Sequence, residues 1–256
     1  MRASLHASYP QPVSATGPYQ AFPLPPRLAA ALVDDVPGYS AEHALPPEPF
    51  RVPWDLRSMS TAAYGVDALP DGRTRYWIRH GLLRGVTPRM LAWWFANLEG
   101  DMEIDGARVN RYRAWHPADH VHVSYARRLS DGSVGPGAVL RLREMLGGNP
   151  RFTVNVRSVI EKLDEDGFIH NPIFHGIYGL VRMEYRFKPA PGGTLYENCL
   201  VFGARSRLGR WAHPLLARIA FPPLKGRFWL RHNIEEVGAF EHFLPQLYRS
   251  ETGRSA

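Results

Sequence analysis

An α+β fold is predicted by three observations: a helix announced by a threonine-proline pair, alternating segments from about Tyr112 to Phe202, and a long helix from about Phe228 to Leu247. An antiparallel sheet curved around the last helix, with a pocket between them, is the helix-grip arrangement. It suits this order better than a parallel sheet would.

Residues 1–53 hold 11 of the 23 prolines, which remove backbone donors and forbid a long helix or a central strand. This segment is expected to be an arm. Its Tyr19, Phe22, Leu24, Leu28 and Leu32 imply packing on the body or on a second copy of the chain in a homo-oligomer. Residues 54–256 are expected to form one domain. Thr87 is a natural N-cap and Pro88 suits the first helical position, so a helix is predicted through MLAWWFANLE to Gly100 as its stop. Beyond it, YRAWHPADHVHVSY, GAVLRLREML, FTVNVRSV, YGLVRMEYRF and TLYENCLVFG read as an antiparallel meander of about five strands. Pro214, Pro222 and Pro223 interrupt the chain before the final helix, and no internal repeat is visible.

With 256 residues, 45% hydrophobic and 21% charged, the chain can bury a real core. The single cysteine, Cys199, excludes an intramolecular disulfide and any cysteine-rich zinc ribbon, so a metal site must be built from histidine and carboxylate. The net charge of +7 comes from 28 arginines and three lysines, scattered rather than gathered into a basic run, and no nucleic-acid-binding motif accompanies them. Neither a secretory h-region nor a membrane-length apolar run is present, so a soluble cytoplasmic protein that binds neither nucleic acid nor membrane is expected.

Three polar clusters sit where apolar residues are expected. On the last helix, Trp229, Phe240, Phe243, Leu244 and Leu247 fall on one arc. His232 and Glu236 lie within about 40° of each other at its edge, whereas Glu235 falls at about −60° from His232. Glu236 therefore faces inward and Glu235 outward. An ionised carboxylate in an apolar layer must be protonated, paired or bound to a cation. An H-x3-E pair can reach one ion, although a surface pair or a buried ion pair with arginine gives the same spacing. In GAVLRLREML, the face of Ala138, Leu140 and Leu142 continues into Glu144, which points to the core unless the following glycines end the strand at solvent. In WHPADHVHV, His116, His120 and His122 share strand parity with Tyr112, although His116 beside Pro117 also suits closing a turn. Two histidines and two glutamates from two strands and a helix would suit zinc, or less specifically manganese, iron or cobalt.

GVTPRMLAWWF, YRAWHPADH, REMLGG and HNIEEVGAFEHFLPQLY, in this order, resemble the diacetylphloroglucinol hydrolase and phloretin hydrolase family over roughly residues 75–248. The resemblance implies a Bet v 1-like helix-grip fold and a zinc-dependent hydrolase that cleaves the carbon-carbon bond between an acyl group and a polyhydroxylated aromatic ring. It implies zinc held by His120, Glu144, His232 and Glu236, with His120 preferred to His116. It also implies a small-molecule acylated phenolic substrate, with Tyr112 holding a phenolic oxygen and His175 as a second catalytic group. Tyr178, Tyr185 and Tyr196 are further pocket candidates. The segment from His120 to Glu144 looks shorter than in the family, as expected of a trimmed hairpin around LSDGSVGPG. The same fold also supports a non-catalytic carrier of an apolar aromatic or polyketide ligand, or a metal-dependent cyclase or isomerase.

Overall fold

A computed structural model describes residues 51–173, 177–204 and 221–254. All but the last three residues of the expected arm lie outside this range, and so does His175. The chain opens with β1 (Ala62–Ala68), β2 (Thr74–His80) and β3 (Leu83–Arg84), then helix α1 (Pro88–Ala96). A small hairpin of β4 (Asp101–Ile104) and β5 (Ala107–Asn110) leads into a one-turn helix, α2 (Arg111–Trp115). Six strands follow: β6 (His120–Arg127), β7 (Val139–Met145), β8 (Thr153–Asp164), β9 (Gly167–Ile173), β10 (Val181–Ala190) and β11 (Gly193–Phe202). Helix α3 (Pro223–Thr252) closes the chain.

The main sheet runs β1-β2-β11-β10-β9-β8-β7-β6, antiparallel throughout, with β3 paired to the start of β11. Its inner face and α3 enclose a cavity lined from β7 through β11 and from α3. This is the predicted α+β helix-grip architecture. Among the described residues, no helix is long and apolar enough to cross a membrane.

Several elements differ from the sequence expectation for local reasons. Helix α1 begins as expected, with Thr87 Oγ1 accepting from the Met90 N–H at 3.3 Å. It ends at Ala96 rather than Gly100, because the Asn97 side chain donates to the Trp93 carbonyl at 2.7 Å and its own N–H turns back to Trp94. Tyr112 is helical and not in a strand: Asn110 Oδ1 caps α2 by accepting from the Arg113 N–H at 3.1 Å. The meander region holds six strands, since β9 in GFIHNPI escapes the alternation count. The β1-β2 hairpin was also unread, although alternating segments flank its Pro70-Asp71-Gly72 turn. Helix α3 starts at Pro223, five residues before Phe228, because proline at the first helical position lacks only a donor the helix does not use. It runs on to Thr252, five residues past Leu247, and ends on the left-handed Gly253.

Two apolar clusters make the core. The larger joins α1, α2 and α3 to the sheet through Trp94, Phe95, Trp115, Phe240 and Phe243. The other joins the beginning of α3 to β2, β10 and β11 through Tyr76, Val181, Leu200, Phe221 and Trp229. Phe240 is fully buried and meets Trp94 edge-on at 5.8 Å and Trp115 in a stack at 5.0 Å. Phe240→Ala is therefore expected to cost about 3–5 kcal/mol in urea unfolding. A loss under about 1 kcal/mol would mean that α3 is not seated on this cluster.

Candidate active site

The backbone around α2 and β6 places the first histidine. The His120 N–H donates to the His116 carbonyl at 3.0 Å and the Met145 N–H to the Asp119 carbonyl at 2.8 Å, so the turn is tied to the end of β7. His120 pairs with Glu144 across the β6-β7 ladder, which puts both side chains on one face. A bulge follows at once, so that His122 pairs with Arg143 instead. That bulge breaks the shared parity expected of His120 and His122: the latter follows Arg143 onto the face away from Glu144. His116 takes the turn-closing role, its Nδ1 accepting from the Asp119 N–H at 3.2 Å.

The structure brings His120, Glu144, His232 and Glu236 together. His120 Nε2 lies 3.2 Å from Glu236 Oε2 and 4.0 Å from Glu144 Oε1, and His232 Nε2 lies 3.5 Å from Glu236 Oε2 and 3.9 Å from Glu144 Oε2. Both rings are held through their other nitrogen. His120 Nδ1 is 2.7 Å from the Tyr112 carbonyl, and His232 Nδ1 is 2.9 Å from Asp119 Oδ2. The Nδ1–H tautomer fits both contacts and leaves each Nε2 lone pair pointing at the carboxylates. The Tyr112 ring stacks on His120 at 3.9 Å, and its hydroxyl donates to Glu144 at 2.6 Å.

Asp119 is the residue that sequence reasoning overlooked inside its own motif. Almost fully buried, it accepts from the Gly147 and Gly148 N–H groups at 2.8 and 2.9 Å as well as from His232. Both glycines have positive φ, 68° and 62°, which turns their N–H groups toward one carboxylate. A Cβ at Gly147 would also overlap the Phe228 ring. Burial alone would raise the Asp119 pKa, but electrostatic attraction to the neighbouring His116 ring and the bonds from His232 and Gly147 outweigh it and hold it down to about 2. Glu236 goes the other way. Burial first, then the charges of Glu144 and Asp119, push its carboxyl well above the usual range. Glu235, expected to face outward, has a side chain only 12% exposed: it pairs with Arg231 at 2.7 Å and reaches His116 Nε2 at 3.2 Å, and the His116 ring stacks on that of His232 at 4.7 Å.

Three of the four residues stand at the wall of a cavity that is otherwise mainly aliphatic and aromatic, and His120 is not among its lining residues. Tyr112, Glu144, His232 and Glu236 line it, and Tyr185 does too. Tyr196 is fully buried but not among the lining residues, while Tyr178 is exposed. Three further polar lining residues went unread: His170, Asn233 and Lys225. His170 was visible, because it shares strand parity with Phe168 and Pro172. Its Nδ1 is 2.6 Å from Ser158 Oγ, and its ring is stacked against both Phe168 and Tyr185, with centroids at 4.8 and 5.7 Å.

A buried nitrogen without a hydrogen bond completes the description. His120 Nε2 has no such partner among the described residues, despite its proximity to Glu236. His120, Glu144 and His232 offer ligand atoms within 4.8 Å of one another, a spacing at which they could hold a metal ion, and His116, Asp119 and His232 form a second such group.

A long helix gripped by a curved antiparallel sheet over a polar-ended cavity defines a helix-grip protein. The family model of the DAPG hydrolase PhiG domain matches residues 57–142, which bears out the resemblance drawn from the sequence motifs and supports a hydrolase. None of the curated protein sequences compared with the chain matches it. Solved structures similar to it include a protein of Nitrosomonas europaea, 11% identical, covering 69% of this chain and 96% of that one at a TM-score of 0.40. Another, from Rhodobacter sphaeroides, is 14% identical over 71% of this chain and 97% of that one, with a TM-score of 0.42. A START superfamily protein of Mycobacterium smegmatis is 13% identical over 68% and 98%, with a TM-score of 0.38.

Two buried imidazoles make this fold sensitive to acid. Burial lowers the pKa of both His80 and His170 to about 3, against 6.5 for the exposed ring. Between those values the unfolded chain carries the extra protons, so stability is lost as pH falls below about 6.5, each ring contributing at most about 1.4 kcal/mol per pH unit. Urea unfolding at pH 7, 6 and 5 is expected to give a shallower decline in His170→Gln than in the wild type. An unchanged slope would mean that His170 is already charged in the native state.

Proposed function

We propose that this protein hydrolyses the carbon-carbon bond between an acyl group and a polyhydroxylated aromatic ring, with zinc held by His120, Glu144, His232 and Glu236. The convergence of two tautomer-fixed histidines and two carboxylates beside an aromatic-lined cavity carries this reading. The residues fit the ion: the orphaned His120 Nε2 offers its lone pair to an electrophile, and Glu236, whose carboxyl is pushed up by burial, is favoured in its ionised form only with a cation beside it. Two imidazoles and two carboxylates without thiolate are a donor set suited to zinc. When bound, the ion supplies Lewis acidity to the acyl or neighbouring phenolic oxygen and lowers the pKa of water.

The remaining work falls to the chain. A ring with meta-related hydroxyls can tautomerise to a ketone, placing a proton on the carbon that bears the acyl group. Addition of water to the acyl carbonyl then lets the carbon-carbon bond break with its electron pair returning to the ring oxygen. The products are a carboxylic acid and the deacylated phenol. Burial and the adjacent Glu144 and Glu236 charges keep the Tyr112 hydroxyl protonated; its one proton is donated to Glu144, so its oxygen is left to accept from a phenolic hydroxyl. His170, neutral at pH 7, and Tyr185 line the same cavity and suit the other ring oxygens or the proton transfer at carbon. The apolar lining limits bulk water and thereby strengthens each of these contacts.

Metal content separates the roles of the acidic residues. Purified wild-type protein is expected to carry one divalent ion per chain by elemental analysis, Glu236→Ala to lose it, and Glu235→Ala to keep it. Asp119→Asn should weaken metal binding about 10–100-fold in chelator competition, because His232 loses the partner that fixes its tautomer. Retention of metal by Glu236→Ala would remove that carboxylate from the site.

The reaction is tested by incubating metal-loaded protein with a panel of acylated phloroglucinols and following released acid and ring by mass spectrometry. Tyr112→Phe is expected to lower turnover at least about tenfold while keeping its metal. Full activity in that variant would take the hydroxyl out of catalysis, and no cleavage across the panel with metal bound would favour a carrier or cyclase.

A further inference from the structure

The imidazole of His170 can serve the proposed reaction in two ways, by holding a ring oxygen or by moving a proton at carbon, and a buried neighbour decides between them. The ring is 1% exposed and lines the cavity, and stacking against Phe168 and Tyr185 fixes its plane. Ser158 on β8 is fully buried and is its diagonal neighbour across the β8-β9 ladder, where His170 stands opposite Ile160 and Ser158 opposite Pro172. The Ser158 Oγ lies 2.6 Å from His170 Nδ1. Ser158 is not among the residues lining the cavity, so it acts on a ligand only through the imidazole.

Counting protons assigns the tautomer. A serine hydroxyl carries one proton, and among the described residues Oγ has no hydrogen-bond partner other than His170 Nδ1. A buried O–H without an acceptor is costly, so the hydroxyl donates to Nδ1. Nδ1 is then unprotonated, and the imidazole, kept neutral by burial, carries its one proton on Nε2. Nε2 makes no hydrogen bond within the described residues and is not one of the sealed, unpartnered nitrogens of which His120 Nε2 is an example, which leaves it open to the cavity. Such an N–H gives a hydrogen bond but keeps its proton, because replacing that proton from Ser158 would leave a buried alkoxide. Nor can Nε2 take a proton, since its lone pair belongs to the aromatic ring.

We propose that Ser158 is a positioning residue that fixes His170 as an Nε2–H donor, so that this part of the cavity takes a ring oxygen bearing no proton, either the carbonyl of the keto tautomer or a phenolate. This deepens the reading given under Proposed function and rests on it for the identity of the ring. Tyr112 makes the complementary demand, because its own proton is committed to Glu144 and its oxygen accepts from a hydroxyl. One group that gives and one that accepts together favour a ring with a ketone and a hydroxyl over the fully phenolic form. Electron density that returns to the ring oxygen as the carbon-carbon bond breaks strengthens the bond from Nε2. Proton transfer at carbon then falls to another group of the cavity.

The test is nitrogen NMR on metal-loaded full-length protein with isotope-labelled histidine, the His170 ring signals being assigned by their loss in His170→Gln. In the wild type Nε2 is expected to carry the proton and Nδ1 to give the signal of an unprotonated, hydrogen-bonded nitrogen. In Ser158→Ala the Nδ1 signal should move to that of an unbonded lone pair or divide between tautomers, with metal content unchanged. Dimedone, a cyclic diketone with unprotonated ring oxygens and no acyl group to release, is expected to shift the Nε2 proton of the wild type. With acylphloroglucinols, Ser158→Ala should lower kcat about tenfold and change KM by less than about twofold. A proton on Nδ1 in the wild type, an Nδ1 signal unmoved in Ser158→Ala, no response of Nε2 to dimedone, or an unchanged kcat overturns the proposal. The expected ring signals and dimedone response without acyl release from any acylphloroglucinol support the donor and sink only the carbon-carbon hydrolase reading.

Discussion

The contact on which the site depends is the buried carboxylate of Asp119. It accepts from two consecutive glycine N–H groups at the end of β7 and from His232 on α3, and so joins the sheet edge to the helix at one point. Neither partner alone would justify burying an ionised group, because desolvation costs several kcal/mol per charge. Three donors make it tolerable, and the geometry they impose turns His232 Nε2 toward Glu144 and Glu236. The neighbouring residue in sequence, His120, is pinned by a backbone carbonyl in the same turn. The two histidines of the cluster therefore owe their orientation to the turn between α2 and β6, while Glu144 is placed by the β6-β7 ladder and Glu236 by α3.

Around this loop, the fold solves a packing problem with a chemical consequence. A sheet of this length curves enough to leave space beneath α3, and the two core clusters fill that space incompletely. The residual cavity takes its walls from aliphatic side chains and stacked aromatic rings, among them Phe168, His170 and Tyr185. Carboxylates exposed to such a cavity are poorly solvated, and the high proton affinity of Glu236 follows from that alone before its acidic neighbours add to it. The same poor solvation makes a bound cation or a complementary substrate group worth more here than at the surface.

Much of the site was legible along the chain. His232 and Glu236 stand out because four residues bring two side chains back to one face of a helix, and Glu144 because a strand returns to one face every second residue. Glu235 was misplaced because helical angle alone ignores side-chain length: an outward Cβ did not stop its carboxylate from reaching His116. His122 was misplaced because one bulge residue inverts the parity of everything after it. Tyr112 was placed in the correct region by the wrong element, since the Asn110 cap converts a strand-like pattern into a helical turn. His170 needed β9, a strand whose Asn171 and Pro172 hid its alternation.

The sequence by itself determined the α+β class, the helix-grip element order, the exclusion of an intramolecular disulfide and of a cysteine-rich metal site, and the inward direction of two carboxylates, because periodicity and composition are local properties of the chain. Only the tertiary structure decided that Asp119 braces His232, that His120 and not His122 faces Glu144, and that Lys225 shares a cavity with a cluster seven residues further along its helix. These depend on strand register, a bulge and the seating of α3 on the sheet. Such features are settled by contacts between residues distant in sequence, where no local spacing carries the information.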